Sequence, residues 1–344
     1  MTTSHCMVFS TAGLAAGALA VVLCVPARPQ PASGASAYTL TPTTYGMQLK
    51  TPDGRVVLEY LTKKPEGVPL TSPSAACFHP VNTPTGERVT NIAPDDHPHH
   101  RGIFFGFHDS EFREPSNFDN YGPHRPIRGF NITRSDFWGW GEYAPREGRL
   151  IQNREVKLTR ADSGRAEIGI HNEWLTHNVK RADEITTATV TEREGVYVID
   201  LEYRLTPIVD YVISRSAFSG FDVQGRKDGE SYYANAAGKV MLPDPHYSLP
   251  DSDWPPEPWY DYSIRLRDSG KTVGFAVLDN PQNPTTAWHN SSHLWMLNPC
   301  ITAGGPFTIG HGQTLSLRYR VVIHDGDTPT ALLQKLSAEY RGGR

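Results

Sequence analysis

The chain has 344 residues, 38% of them hydrophobic and 20% charged, with 30 Gly and 28 Pro. This balance excludes a collagen-like or broadly disordered protein. A formal net charge of -4 supplies no basic field, so nucleic acid is not an expected partner.

Residues 1–37 read as an export signal and its lead. Val8–Val25 is apolar and uncharged, and it runs into Pro-rich sequence with small residues suited to cleavage at Val25-Pro26-Ala27 or Ala35-Ser36-Ala37. Met1–Met7 holds no Lys or Arg, so a membrane contact is expected only if this segment stays uncleaved. The mature chain is expected in the periplasm or outside the cell. Export would leave Cys77 and Cys300, either paired or as two separate buried thiols. No CxxC occurs, which excludes a zinc ribbon or a thioredoxin-type site.

From Tyr38 to the end the chain reads as one domain in which the apolar period is mostly two, the pattern of strands with one buried face. Val56–Tyr60, Ile103–Phe107, Ala166–Trp174, Tyr197–Leu205, Val209–Ile213, Val273–Leu278, Leu294–Leu297 and Leu315–Ile323 fit it. Asp109–Trp140 and Leu242–Tyr260, rich in Pro, Gly and aromatic residues, are expected as long loops that carry the site. Thr330–Arg341 alone has helical spacing, with Leu332, Leu333, Leu336 and Tyr340 on one side and Asp327-Thr328-Pro329 as its entry. Strands not separated by helices cannot form βαβ crossovers. The expected fold is therefore all-β, a large antiparallel, supersandwich-like β-sandwich with one short C-terminal helix.

The densest chemistry lies at Asp95-Asp96-His97-Pro98-His99-His100-Arg101-Gly102, followed by a strand and then His108-Asp109. In extended backbone His97 and His99 would share a side while His100 points away. Two functional readings stand beside a purely structural one. His97 and His99 could bind a divalent transition metal with a third ligand from Asp96, His108, His79 or His289. Alternatively His97, His99, His100 and the distant His289 form an acid/base cluster for a polyhydroxylated substrate. Arg101, His108 and Asp109 would then hold oxygens, and Trp288 and Trp259 would supply ring surfaces. GxSxG, Walker A, GxGxxG and HExxH are all absent, which removes support for serine-hydrolase, nucleotide-binding and zincin chemistry.

The element Asp96-His97-Pro98-His99-His100-Arg101-Gly102-Ile103 resembles that of a bacterial family of unknown function, DUF6807, which has carried the label "methane oxygenase PmoA-like". The likeness extends through Glu173-Trp174, Asp200–Pro207, Trp259-Tyr260-Asp261-Tyr262, Gly274–Pro284, Trp288-His289, Leu297-Asn298-Pro299 and Leu317–Gly326. The resemblance implies a secreted or periplasmic β-rich protein acting on carbohydrates. It also implies an acidic residue before a Gly where this chain has Ser219-Gly220. Methane oxygenase chemistry belongs to a protein with several membrane-spanning helices, which the hydropathy after residue 37 does not provide. The expected function is an exported protein that takes a small-molecule or oligosaccharide ligand and works on a sugar or sugar derivative by hydrolysis, elimination or isomerisation. A carbohydrate-binding module without turnover and a metal-dependent oxygenase are the alternatives.

Overall fold

A computed structural model describes residues 36–122, 125–241, 254–288 and 293–342. Nearly all of the N-terminal segment read above as an export signal, most of the Leu242–Tyr260 stretch and His289 lie outside the described residues. Two large antiparallel sheets carry the fold. The first has seven strands, ordered Thr39–Pro42, Gly46–Lys50, Val56–Leu61, Cys77–Val81, Ile103–Gly106, Gly220–Gln224 and Met296–Leu297. The second has nine. Its centre is Trp259–Leu266, Thr272–Asp279, Leu315–Asp325, Val196–Pro207 and Val179–Arg193, and Arg165–Thr176 and Leu150–Ala161 complete one side.

Alternation decides which side chains meet between the sheets. Tyr197, Ile199, Leu201 and Tyr203 from the nine-stranded sheet join Ile103, Phe105, Phe221 and Val223 from the seven-stranded one in a single buried cluster. Each large apolar side chain removed from water there contributes roughly 1.5–3 kcal/mol. The intervening residues face outward and are covered on both sides. Val196, Val198, Trp259, Ala276, Leu278 and Val322 lie under Leu333 and Leu336 of the C-terminal helix Thr330–Arg341. Leu61, Cys77, Phe104 and Met296 on the far side of the seven-stranded sheet lie under a layer of loops that includes Leu70, Ala93 and Trp138.

The pattern-based strands and the helix are found, with ends shifted by a few residues. One expectation is corrected. Asp109–Trp140 is not a loop: Ser110–Gly122 and Arg125–Ser135 form a long antiparallel hairpin, joined by Asp210–Ile213 and Phe307–Ile309 into a four-stranded sheet. Phe112 anchors it by stacking on Tyr211 at 4.3 Å between ring centres. Cys77 and Cys300 are both free and buried, so the disulfide alternative falls. Among the described residues no helix is long and apolar enough to cross a membrane.

Candidate functional site

The His-rich element folds as two successive tight turns rather than as extended backbone. The His97 amide donates to the Pro94 carbonyl at 2.9 Å and the His100 amide to the His97 carbonyl at 3.0 Å, while Ala93 N closes the loop on His100 O at 2.8 Å. Pro98 occupies the second position of the latter turn, where its fixed φ is pre-set. The turn brings residues i and i+3 together, so His100 does not point away. Its ring stacks on that of His97 at 5.0 Å, and His99 lies edge-on to both, at 5.7 Å from His97 and 4.4 Å from His100.

These rings form one wall of a cavity of about 640 Å³ on the loop-covered face of the seven-stranded sheet. His108 and Trp140 supply a second wall, stacked at 3.8 Å, and Arg215, Ser216 and Phe218 a third. Gly139 permits this arrangement, because its φ of +140° suits glycine and a Cβ there would sit 2.7 Å from the His99 Cβ.

Three of the four imidazoles have an assigned partner on Nδ1, leaving Nε2 for other contacts. The His108 Nδ1–H donates to the carboxylate of Asp136, whose second oxygen accepts from the Gly139 amide at 2.8 Å. The hairpin produces this pair, since Ser110 opposite Ser135 returns the chain beside its own start. His100 Nδ1 meets Gln224 Oε1 at 2.7 Å. The Gln224 amide nitrogen donates to the Leu294 carbonyl at 2.8 Å, so its oxygen faces the ring and His100 must be the donor. His97 Nδ1 stands 3.3 Å from Asp96, which also receives Lys227 at 2.7 Å.

Electrostatics divide the cluster. Burial, reinforced by neighbouring imidazoles, lowers His99 to about 2 and His100 to about 3. Both are neutral hydrogen-bonding groups at ordinary pH. Burial pushes the Asp96 carboxyl up, but the bonds from Lys227, the backbone and His97 outweigh it and hold it below the usual carboxylate range.

The cavity thus gathers His97, His99, His100, His108 and Asp109 from the residues that the sequence singled out. Arg101 is a correction. It is 1% exposed, donates to the carbonyls of His99, Trp138 and Phe137 at 3.0, 3.0 and 3.2 Å and lies over the Phe104 ring at 4.3 Å. It holds the loops that carry His99 and Trp140 and is sealed from any ligand. Trp288 is buried, with Nε1 bonded to the Glu257 carbonyl at 2.9 Å. Trp259 is buried under the C-terminal helix, so neither ring is a stacking surface. Sequence reasoning missed Asp136, Gln224 and Arg215, single polar residues with no local spacing signal.

The metal expectation also moves. Among the described residues the group of three donor side chains with atoms within 4.8 Å of one another is His171, Glu173 and Asp183, and the imidazoles of the cavity do not meet that spacing. Lys180 lies 2.8 Å from Asp183 and Arg154 2.6 Å from Glu173. Two cations therefore already neutralise the carboxylates that an ion would need.

Residues 50–338 match the family described as "Family of unknown function (DUF6807)". The chain belongs to that family. No curated protein matches this DUF6807 member. Among solved structures it is similar to a galactose mutarotase related enzyme from Lactobacillus acidophilus, at 8% identity and a TM-score of 0.36 over 83% of this chain and 97% of that one. It is also similar to the Slr1438 protein from Synechocystis sp. PCC 6803, at 9% identity and a TM-score of 0.33 over 90% of this chain and all of the other.

Proposed function

We propose that this protein is an exported enzyme that moves a proton on a sugar or sugar derivative, by isomerisation or elimination. The observation that carries the reading is the His108–Asp136 pair in the wall of a cavity sized for a small ligand. A carboxylate accepting from Nδ1–H fixes the tautomer and would support charge on the ring when Nε2 takes a proton. The neutral rings of His99 and His100, together with Ser216, suit a ligand rich in hydroxyl groups. Hydrolysis is the weaker choice, because a glycosidase needs a carboxyl group kept protonated. Asp96 is shifted in the opposite direction.

The test is proton exchange. Monosaccharides, sugar acids and their derivatives are incubated with the full chain in deuterated water and followed by NMR for exchange or new isomers. Exchange that falls by roughly 100-fold or more in His108→Asn and in Asp136→Asn is the expected result. Saturable binding with no exchange would instead mark a binding module and end the enzymatic reading.

A further inference from the structure

Arg215 is the arginine of the cavity wall, and its commitments differ from those of the other arginines nearby. Arg101 gives its terminal nitrogens to three carbonyls, and Arg226 is paired with Asp228 and Asp268. Arg215 spends only Nε, on the Ala303 carbonyl at 2.8 Å. That bond pins the stem and leaves both terminal nitrogens without a protein partner among the described residues. The acids around it are otherwise engaged. Asp96 is held by Lys227 and His97, and Asp136 by His108 and Gly139. Asp109 is close through its backbone, since its carbonyl accepts from Ser214 N at 2.9 Å, yet it forms no ion pair with Arg215 within 4.0 Å. A guanidinium whose orientation is fixed at one nitrogen and whose outer edge is open is suited to grip a carboxylate with two parallel bonds.

We infer that the substrate bears a carboxylate that Arg215 holds, so the sugar acted on is an acidic one such as a uronate or an aldonate. This inference rests on the carbohydrate reading above and narrows it to a charged class. Asp109, exposed at the rim, opposes the incoming anion and sets a limit on its affinity.

The experiment is calorimetric titration of the full chain with D-galacturonate, D-glucuronate and D-gluconate beside D-galactose and D-glucose. The acids are expected to bind at least about 10-fold more tightly than the neutral sugars. Arg215→Gln should remove that gap while the thermal midpoint moves by no more than a few degrees, Arg215→Lys should restore part of it, and Asp109→Asn should widen it. Neutral sugars that bind as well as the acids, or a gap that survives Arg215→Gln, would overturn the carboxylate assignment and leave the carbohydrate reading standing. Absence of binding by both sets would overturn the two together.

Discussion

The molecule contains the same pairing of imidazole and carboxylate in two settings. His108–Asp136 lies in the wall of the cavity with the imidazole 21% exposed, whereas His324–Asp261 is sealed with both side chains at 0%. Asp261 also accepts from Ser263 at 2.7 Å and from Thr328, at the entry of the C-terminal helix, at 2.5 Å. The second pair therefore ties two strands to the helix and touches nothing that diffuses. The pair proposed as reactive differs from the structural one in its route to a ligand and in the number of elements the carboxylate joins, since the residue types are identical.

The sharpest way to break this comparison is to neutralise each carboxylate in turn. Asp261→Asn is expected to destabilise by about 3–5 kcal/mol, because it removes one partner of a buried pair, with the activity per folded molecule retained. Asp136→Asn should do the reverse, cutting proton exchange by about 100-fold or more while the thermal midpoint moves by a few degrees. Urea melts and exchange rates on both variants decide it, and an inactive Asp261→Asn that stays fully stable would reverse the assignment.

Titration sharpens the contrast. Burial lowers His79 and His100 to about 3 and His99 to about 2, so these groups bind protons in the unfolded chain before they do so in the folded one. Their contribution is present above about 6.5 and is lost as pH falls toward 3, at about 1.4 kcal/mol per pH unit for each ring that stays neutral. His324 has the opposite sign. Burial lowers it, but the charge and hydrogen bond of Asp261 prevail and raise it. Its contribution is full below about 6.5 and is lost as pH rises through the raised value. Melts between pH 4.5 and 9 should show an acid slope that His99→Asn and His100→Asn flatten. The gap between the native chain and Asp261→Asn should narrow in alkali.

Smaller effects are expected further from the two pairs. Arg101→Lys cannot reach all three carbonyls and should cost about 1–3 kcal/mol, weakening ligand binding through displaced His99 and Trp140. At the partly exposed His171, Glu173 and Asp183, His171→Gln should change stability by no more than about 0.5 kcal/mol. It should leave activity unaltered, with or without added zinc. A lost metal-dependent activity would show that the ion outcompetes Lys180 and Arg154.

The parts legible in the sequence are those governed by local periodicity. Residues Tyr197–Leu205 and Leu315–Ile323 announce their faces by alternation, and the Leu332, Leu333, Leu336 and Tyr340 stripe marks the helix within its observed bounds. The hairpin Ser110–Gly122 with Arg125–Ser135 was hidden because Pro115, Gly122, Pro126 and Gly129 interrupt its pattern, and its register shifts between Pro115 and Asp119. Missing the hairpin also hid the site, since only its return places Asp136 against His108. His97, His99 and His100 stood out by density, yet their mutual arrangement depends on two i to i+3 turns, the second of which Pro98 favours at its i+1 position. Arg101 looked chemical because it sits among histidines. Its burial follows from the carbonyls of Phe137 and Trp138, residues far away in sequence.

The C-terminal helix and the cavity occupy opposite outer faces of the sandwich, one on the nine-stranded sheet and the other beyond the seven-stranded sheet. Packed sheets stand about 10 Å apart, so two layers of strands separate a tether placed after the helix from the mouth of the cavity. Captured on a sensor chip by that end, the molecule would present its open side to the flowing analyte.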